Sequence, residues 1–205
     1  MPPPKIKEWI EKNYKPEVDM TKVPLHFTAN NPAEETTVQL NYIDTVEDEL
    51  ANYCPYSFVY SSDEMKTWNA FDVNSTVVDL NECENGTVYI KAKFGNTTEN
   101  PNRLGFTDYE YMDDEDIYDI LHYLCFDIKG SVKAGGNIQF LLDNTGSRLD
   151  VPKYGYYRLF TGCVSLTQSP KLPATTLAYN CYNNMFTGCT SIPEPKYDMS
   201  HMTFE

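Results

Sequence analysis

The chain has 205 residues, a formal net charge of −14, and 16 tyrosines beside 10 phenylalanines. That length allows one large domain or two small ones with a real core, and 16 basic against 30 acidic side chains leave no phosphate-neutralising surface, which argues against nucleic acid or anionic lipid as a partner. No run approaches the roughly 18 apolar residues of a membrane span, and the opening MPPPKIKEWIEKNYK lacks the apolar stretch and small-residue cleavage site of a secretory leader, so the expectation is assembly in the cytosol.

Residues 1–22 form the first segment. Between its Pro-rich ends, Ile6, Trp9, Ile10 and Tyr14 recur at helical spacing, which predicts a short amphipathic helix. A helix of about ten residues is too short to stand alone, so it must dock on its own domain or on a partner. Its terminal position favours an anchoring arm. Five lysines against four acids give this arm +1 and leave −15 on the rest.

From 23 to 143 the signals are strands, at 25–29, 36–43, 56–62, 76–81, 87–94, 123–129 and 137–143. Each is short, rich in β-branched or aromatic residues, and bounded by Asn, Gly, Pro or Asp. Alternation is clearest where Val88, Ile90, Ala92 and Phe94 interleave with Thr87, Tyr89, Lys91 and Lys93, the pattern of a strand with one buried face. Such a series without long helices suggests a β-sandwich, with Trp68 in its core. The stretch 108–119, DYEYMDDEDIYD, holds seven carboxylates and no base. Calcium would want several oxygens from one loop, but the spacing is not that of an EF-hand, and an acidic solvated loop or short helix is the favoured reading.

Cys54, Cys83, Cys125, Cys163, Cys181 and Cys189 show no C-x-x-C pair and no clustering with His, so zinc and redox motifs are unsupported and buried free thiols are expected in the last third. No motif surrounds His26, His122 or His201, which leaves the cysteines without a partner base for nucleophilic catalysis. The expectation is no catalytic residue, no cofactor and no metal.

The region 144–205 contains an internal repeat. Leu159-Phe160-Thr161-Gly162-Cys163-Val164-Ser165-Leu166 recurs 26 residues later as Met185-Phe186-Thr187-Gly188-Cys189-Thr190-Ser191-Ile192, five identities in eight positions, with Tyr156 matched by Tyr182. A period between 20 and 30 points to a solenoid whose units bury their apolar faces against one another. Phe160 and Phe186 would stack as a spine, Gly162 and Gly188 would permit a turn that other residues resist, and Cys163 and Cys189 would fill small gaps. Leu166, Ile192, Leu172 and Leu177 supply further inward positions. Tyr179 and Tyr182 are candidates for glycan contact, with core stacking the favoured role for Tyr182.

The segment LFTGCVSLTQSPKLPATTLAYNCYNNMFTGCTS resembles the BspA-like leucine-rich repeat family, and DMSHMTFE at 198–205 is similar to the next segment of such a unit. More weakly, VYSSDEMKTW, TVYIKAKF and IKGSVKAGGNIQFLLD resemble the β-rich module that precedes these repeats in proteins of gut Bacteroidales and their crAss-like phages. The implied fold is mainly β: a short N-terminal helix, a β-sandwich, then the start of a leucine-rich-repeat-type solenoid, an array of two units that either continues or is capped by the preceding domain and a partner. The implied function is non-enzymatic. One expectation is a bacteriophage virion protein, a head or tail fibre held to capsid or tail by its N-terminus and displaying the repeats to a host-surface glycan or protein. Such a fibre would be a homo-oligomer, most simply a trimer. The alternative is a bacterial cell-surface adhesin.

Overall fold

The computed structural model describes residues 18–45, 54–94, 106–112, 117–193 and 203–204. The expected anchor residues Ile6, Trp9, Ile10 and Tyr14 lie outside them. The chain is mainly β. Its strands are β1 (Leu25–Ala29), β2 (Thr37–Asp44), β3 (Phe58–Ser61), β4 (Asn69–Phe71), β5 (Val77–Asp79), β6 (Thr87–Ala92), β7 (Thr107–Met112), β8 (Ile117–Lys129), β9 (Val132–Gly135), β10 (Asp150–Val151), β11 (Leu166–Gln168), β12 (Thr176–Leu177) and β13 (Thr203–Phe204). Among the described residues no helix is long and apolar enough to cross a membrane.

Among the described residues these strands form three sheets. One is six-stranded in the order β11-β9-β1-β6-β3-β4, one four-stranded in the order β5-β2-β8-β7, and one three-stranded in the order β10-β12-β13. Period-two patterning decides which side chains face inward. Leu25 and Phe27 of β1, Val88 and Ile90 of β6, Val38 and Leu40 of β2, and Leu124 and Phe126 of β8 are all buried. They meet in one core, where the Phe27 ring lies edge-on to Phe126 at 5.0 Å between centroids. Burying rings of this size is the main favourable term in the fold.

Three expectations from sequence are corrected. Residues 137–143 do not form a strand: Ile138–Leu141 is a 3-10 turn with every residue buried, and the Asn137 side chain accepts from the Gln139 N–H. A short apolar run bounded by Asn reads the same in either conformation, and the cap decides it. The acidic stretch is neither loop nor helix over its described part, because β7 and the start of β8 pair antiparallel across it, Tyr111 opposite Tyr118 and Met112 opposite Ile117. Its three tyrosines and Ile117 carry strand propensity that the charge count hid. Trp68 is outside the core; it lies partly exposed with the Lys91 ammonium 4.1 Å from its ring centroid.

The region after residue 150 is a succession of turns with a regular bonding rule. In the first unit Gly155, Tyr157, Leu159, Thr161 and Cys163 each donate their N–H to the carbonyl three residues back, while the intervening Tyr154, Tyr156, Arg158, Phe160 and Gly162 donate to residues 179, 181, 183, 185 and 187 of the second unit. Every fourth residue, Tyr154, Arg158 and Gly162, has positive φ, which turns the coil back on itself. The second unit repeats this at Asn180, Asn184 and Gly188. The short strands β10, β12 and β13 pair in parallel, Asp150 to Thr176 and Thr176 to Thr203.

The first unit is laid on both larger sheets. On one side the Phe126 N–H of β8 donates to the Leu159 carbonyl at 2.8 Å. On the other, β11 joins β9 in parallel, Leu166 opposite Val132. A buried polar hub closes the junction. The Tyr156 hydroxyl donates to the Gln139 Oε1 at 2.6 Å, and the Gln139 amide donates to the Arg148 and Asp150 carbonyls. Asn137 donates to the Thr21 and Gly146 carbonyls. Because these groups are paired, the hub is buried without the penalty of orphaned donors.

Candidate functional site

The repeat residues singled out from sequence come together in one spine. Phe160 is fully buried and stacks on Phe186 at 5.3 Å with 2° between planes, and on Phe126 at 5.2 Å with 11°. Tyr156 and Tyr182 stack likewise at 5.7 Å and 7°. The Cys163 thiol donates to the Phe126 carbonyl at 3.2 Å and the Cys189 thiol to the Phe160 carbonyl at 3.0 Å. Phe126 therefore stands to the first unit as Phe160 stands to the second. Gly162 and Gly188 take φ of +80° and +81°, the left-handed region that a Cβ disfavours. Leu166 and Leu177 are buried, and Leu172 and Ile192 pack against the same core.

All six cysteines are free thiols, with Cys83, Cys163, Cys181 and Cys189 buried. Burial pushes the Cys54, Cys83, Cys125 and Cys181 thiols up to about 11 and raises Cys163 and Cys189 as well. Thiols so placed are poor nucleophiles at neutral pH. The Cys54, Cys83 and Cys125 thiols donate to the backbone carbonyls of Tyr56, Asp79 and Thr161. His26 sits over Gly135 with its Nδ1 3.1 Å from the Pro24 carbonyl, while His122 stacks on Tyr42 and lies 3.5 Å from the Asp44 carboxylate. Among the described residues no group of three His, Cys, Asp or Glu side chains is placed to hold a metal ion. An open cleft of about 370 Å³ is lined by Cys54, Tyr56, Phe71, Asp72, Asn74 and Lys93.

The outer face of the units carries a different constellation. Tyr123 of β8 meets Tyr157 edge-on at 5.5 Å, Tyr157 meets Tyr154 at 5.8 Å, and Tyr154 meets Tyr179 at 6.2 Å. Two cations sit on this ladder. The Arg158 guanidinium lies 5.2 Å from the Tyr157 centroid and 5.8 Å from that of Tyr123, and the Lys153 ammonium lies 5.4 Å from that of Tyr179, all within cation–π range. Tyr179 is 57% exposed. A hydrogen bond with Tyr123 holds Arg158 above its ordinary range, against the opposing effect of burial. Of this ladder, Tyr179 stood out in the sequence, while Tyr123, Tyr157 and Arg158 did not. The signal for Arg158 was present in the alignment of the units, where it falls opposite Asn184; Tyr123 lies outside the repeat and becomes a neighbour through the docking of the first unit on β8.

Fold and outer face together define a mainly β scaffold on which turn-rich units stack, with an aromatic and cationic strip on an otherwise acidic molecule. No family model matches the chain, and neither a curated protein nor a solved structure matches it.

Proposed function

We propose that this chain is a non-enzymatic structural and binding protein of a bacteriophage virion, a head or tail fibre component whose residues 1–22 attach it to the particle. In this reading residues 23–143 form a β-sandwich, and residues 144–205 begin a leucine-rich-repeat-type solenoid of the BspA-like kind that faces the host surface. The observation that carries the reading is the stacking of the second unit on the first, and of the first on Phe126, through one aromatic spine and one set of thiol-to-carbonyl bonds. A coil built by that rule grows in one direction from a rigid base, which suits presentation of a surface away from an attachment point. The thiol donors at Cys163 and Cys189 fit a protein assembled reduced, as cytosolic particle assembly requires. Display in many copies, as a homo-oligomer such as a trimer, would make individually weak contacts effective.

Antibody raised against the chain separates this reading from the bacterial adhesin. Immunogold label on purified virions, lost when residues 1–22 are deleted, is the expected result. Label confined to bacterial envelopes would overturn it.

A further inference from the structure

The two units fill one backbone position in two ways. Tyr154, Arg158, Asn180 and Asn184 have φ of 53°, 54°, 54° and 56°. In the second unit both left-handed positions are Asn, which tolerates this region because its short amide bonds locally. In the first unit they are Tyr154 and Arg158, which have no such compensation. Tyr154 has a structural reason to be there: it is 7% exposed and its hydroxyl accepts from the Asn180 amide at 3.2 Å. Arg158 is partly exposed, and among the described residues the groups acting on it are Tyr123, Tyr157 and Cys125, with no carboxylate. A guanidinium flanked by the Tyr123 and Tyr157 rings, in a chain of 30 acidic and 16 basic side chains, is thus kept at a position where Asn would be easier. Backbone strain held for a partly exposed cation set between two aromatic rings is a reason to look for a ligand.

We infer that Arg158, framed by the rings of Tyr123 and Tyr157 and continued by Lys153 and Tyr179, binds a carboxylate-bearing sugar at the end of a glycan. This rests on the host-surface reading and gives that surface a ligand class. The planar guanidinium offers paired N–H donors that match a carboxylate, and the flanking rings offer apolar faces to the C–H side of a pyranose. The class is a single carboxylate and not a polyanion. At physiological salt charges are screened beyond about 8 Å, so one carboxylate in contact with the guanidinium feels mainly Arg158, whereas a long polyanion would also lie against the acidic remainder of the surface.

The test uses the full chain displayed multivalently on beads at physiological salt, with matched probes: glucuronide- against glucoside-terminated oligosaccharides, and sialyl-lactose against lactose. About tenfold or greater preference for the carboxylated member is expected, from the size of a charged hydrogen bond. Arg158→Asn should remove that preference with the melting temperature unchanged or raised, because Asn is what the second unit holds in the same conformation. Arg158→Lys, which keeps the charge and loses the fork, should remove most of it. Tyr157→Ala should weaken both members of each pair. Equal binding of both members, a preference that survives Arg158→Asn, or a lowered melting temperature in that variant would each overturn the inference. Beads that adhere to Bacteroidales cells but to no carboxylated glycan sink this site alone; beads that adhere to no cells tested sink the host-binding reading with it.

Discussion

Single residues in this protein are held by two different constraints, and glycine shows the contrast. Gly162 has φ of +80° and open space where a Cβ would go, while a Cβ at Gly136 would fall 2.0 Å from the Pro24 carbonyl oxygen. Gly162→Ala should therefore cost only the conformational penalty, about 1 kcal/mol, and Gly136→Ala should cost several times that, because backbone must move. Urea unfolding of the two variants measures both, and an equal or reversed order would show the repeat glycine to be sterically confined. His26 supplies a pH dependence. Burial lowers its pKa below the usual value, the nearby Lys133 adds to that, and the bond to the Pro24 carbonyl partly opposes it. Its folded form therefore prefers the neutral ring, so its contribution to stability is present above about pH 6.5 and is lost as pH falls through the lower folded value. His26→Gln should flatten the difference in urea midpoint between pH 7.5 and 5.5; an undiminished difference would place that slope on other groups. The repeat glycines were legible from the sequence because they recur in register. Gly136 was not, since its constraint comes from the approach of Pro24, far away in the chain.

At the scale of elements, the strands that were legible are those whose one buried face imposes alternation. Residues 25–29 and 87–92 are the clear cases, and Phe27 opposite Val88 shows why: each has a packed side and a side turned from the core. The short strands β9 and β11 were not legible. The parallel pairing of Val132 with Leu166 owes its place to the docking of the first repeat unit, which no local pattern announces. Phe126 joins the sheet to the repeat. Its alternation marks it as a core residue of β8, yet its carbonyl, N–H and ring also act as the preceding unit for the repeat. Phe126→Ala should cost about 3–5 kcal/mol, as should Phe160→Ala, whereas Phe186→Ala, which removes a partly buried ring stacked on Phe160, should cost less. Denaturant unfolding of the three variants gives the order. If Phe126→Ala proved as mild as Phe186→Ala, the coil would not depend on β8 for its first layer.

Across the whole molecule, the bonding rule of the units has a direction. Tyr154, Arg158, Phe160 and Gly162 donate their N–H groups to the second unit, whereas the N–H groups of their counterparts Asn180, Asn184, Phe186 and Gly188 have no backbone acceptor among the described residues. Asn180 and Phe186 are half-buried and Asn184 and Gly188 exposed, and backbone donors without a backbone acceptor can bond to an incoming chain, so this end of the stack has the chemistry to receive a further unit while the other end is closed by β8. The repeat pattern was legible in the sequence to that extent: a period of 26 residues implies a stack, but which end is closed depends on where Phe126 lies. The asymmetry should be visible in amide hydrogen exchange. The amides of Arg158, Phe160 and Gly162 are expected to be protected close to the level of the sheet core, and those of Asn184, Phe186 and Gly188 to exchange much faster in the same molecule. Appending one more copy of the 26-residue unit should transfer protection to them, because the new carbonyls would sit where residues 183, 185 and 187 sit for the first unit. Protection equal in both units before any extension would mean that those second-unit N–H groups already have acceptors, and growth from this end would lose its physical basis.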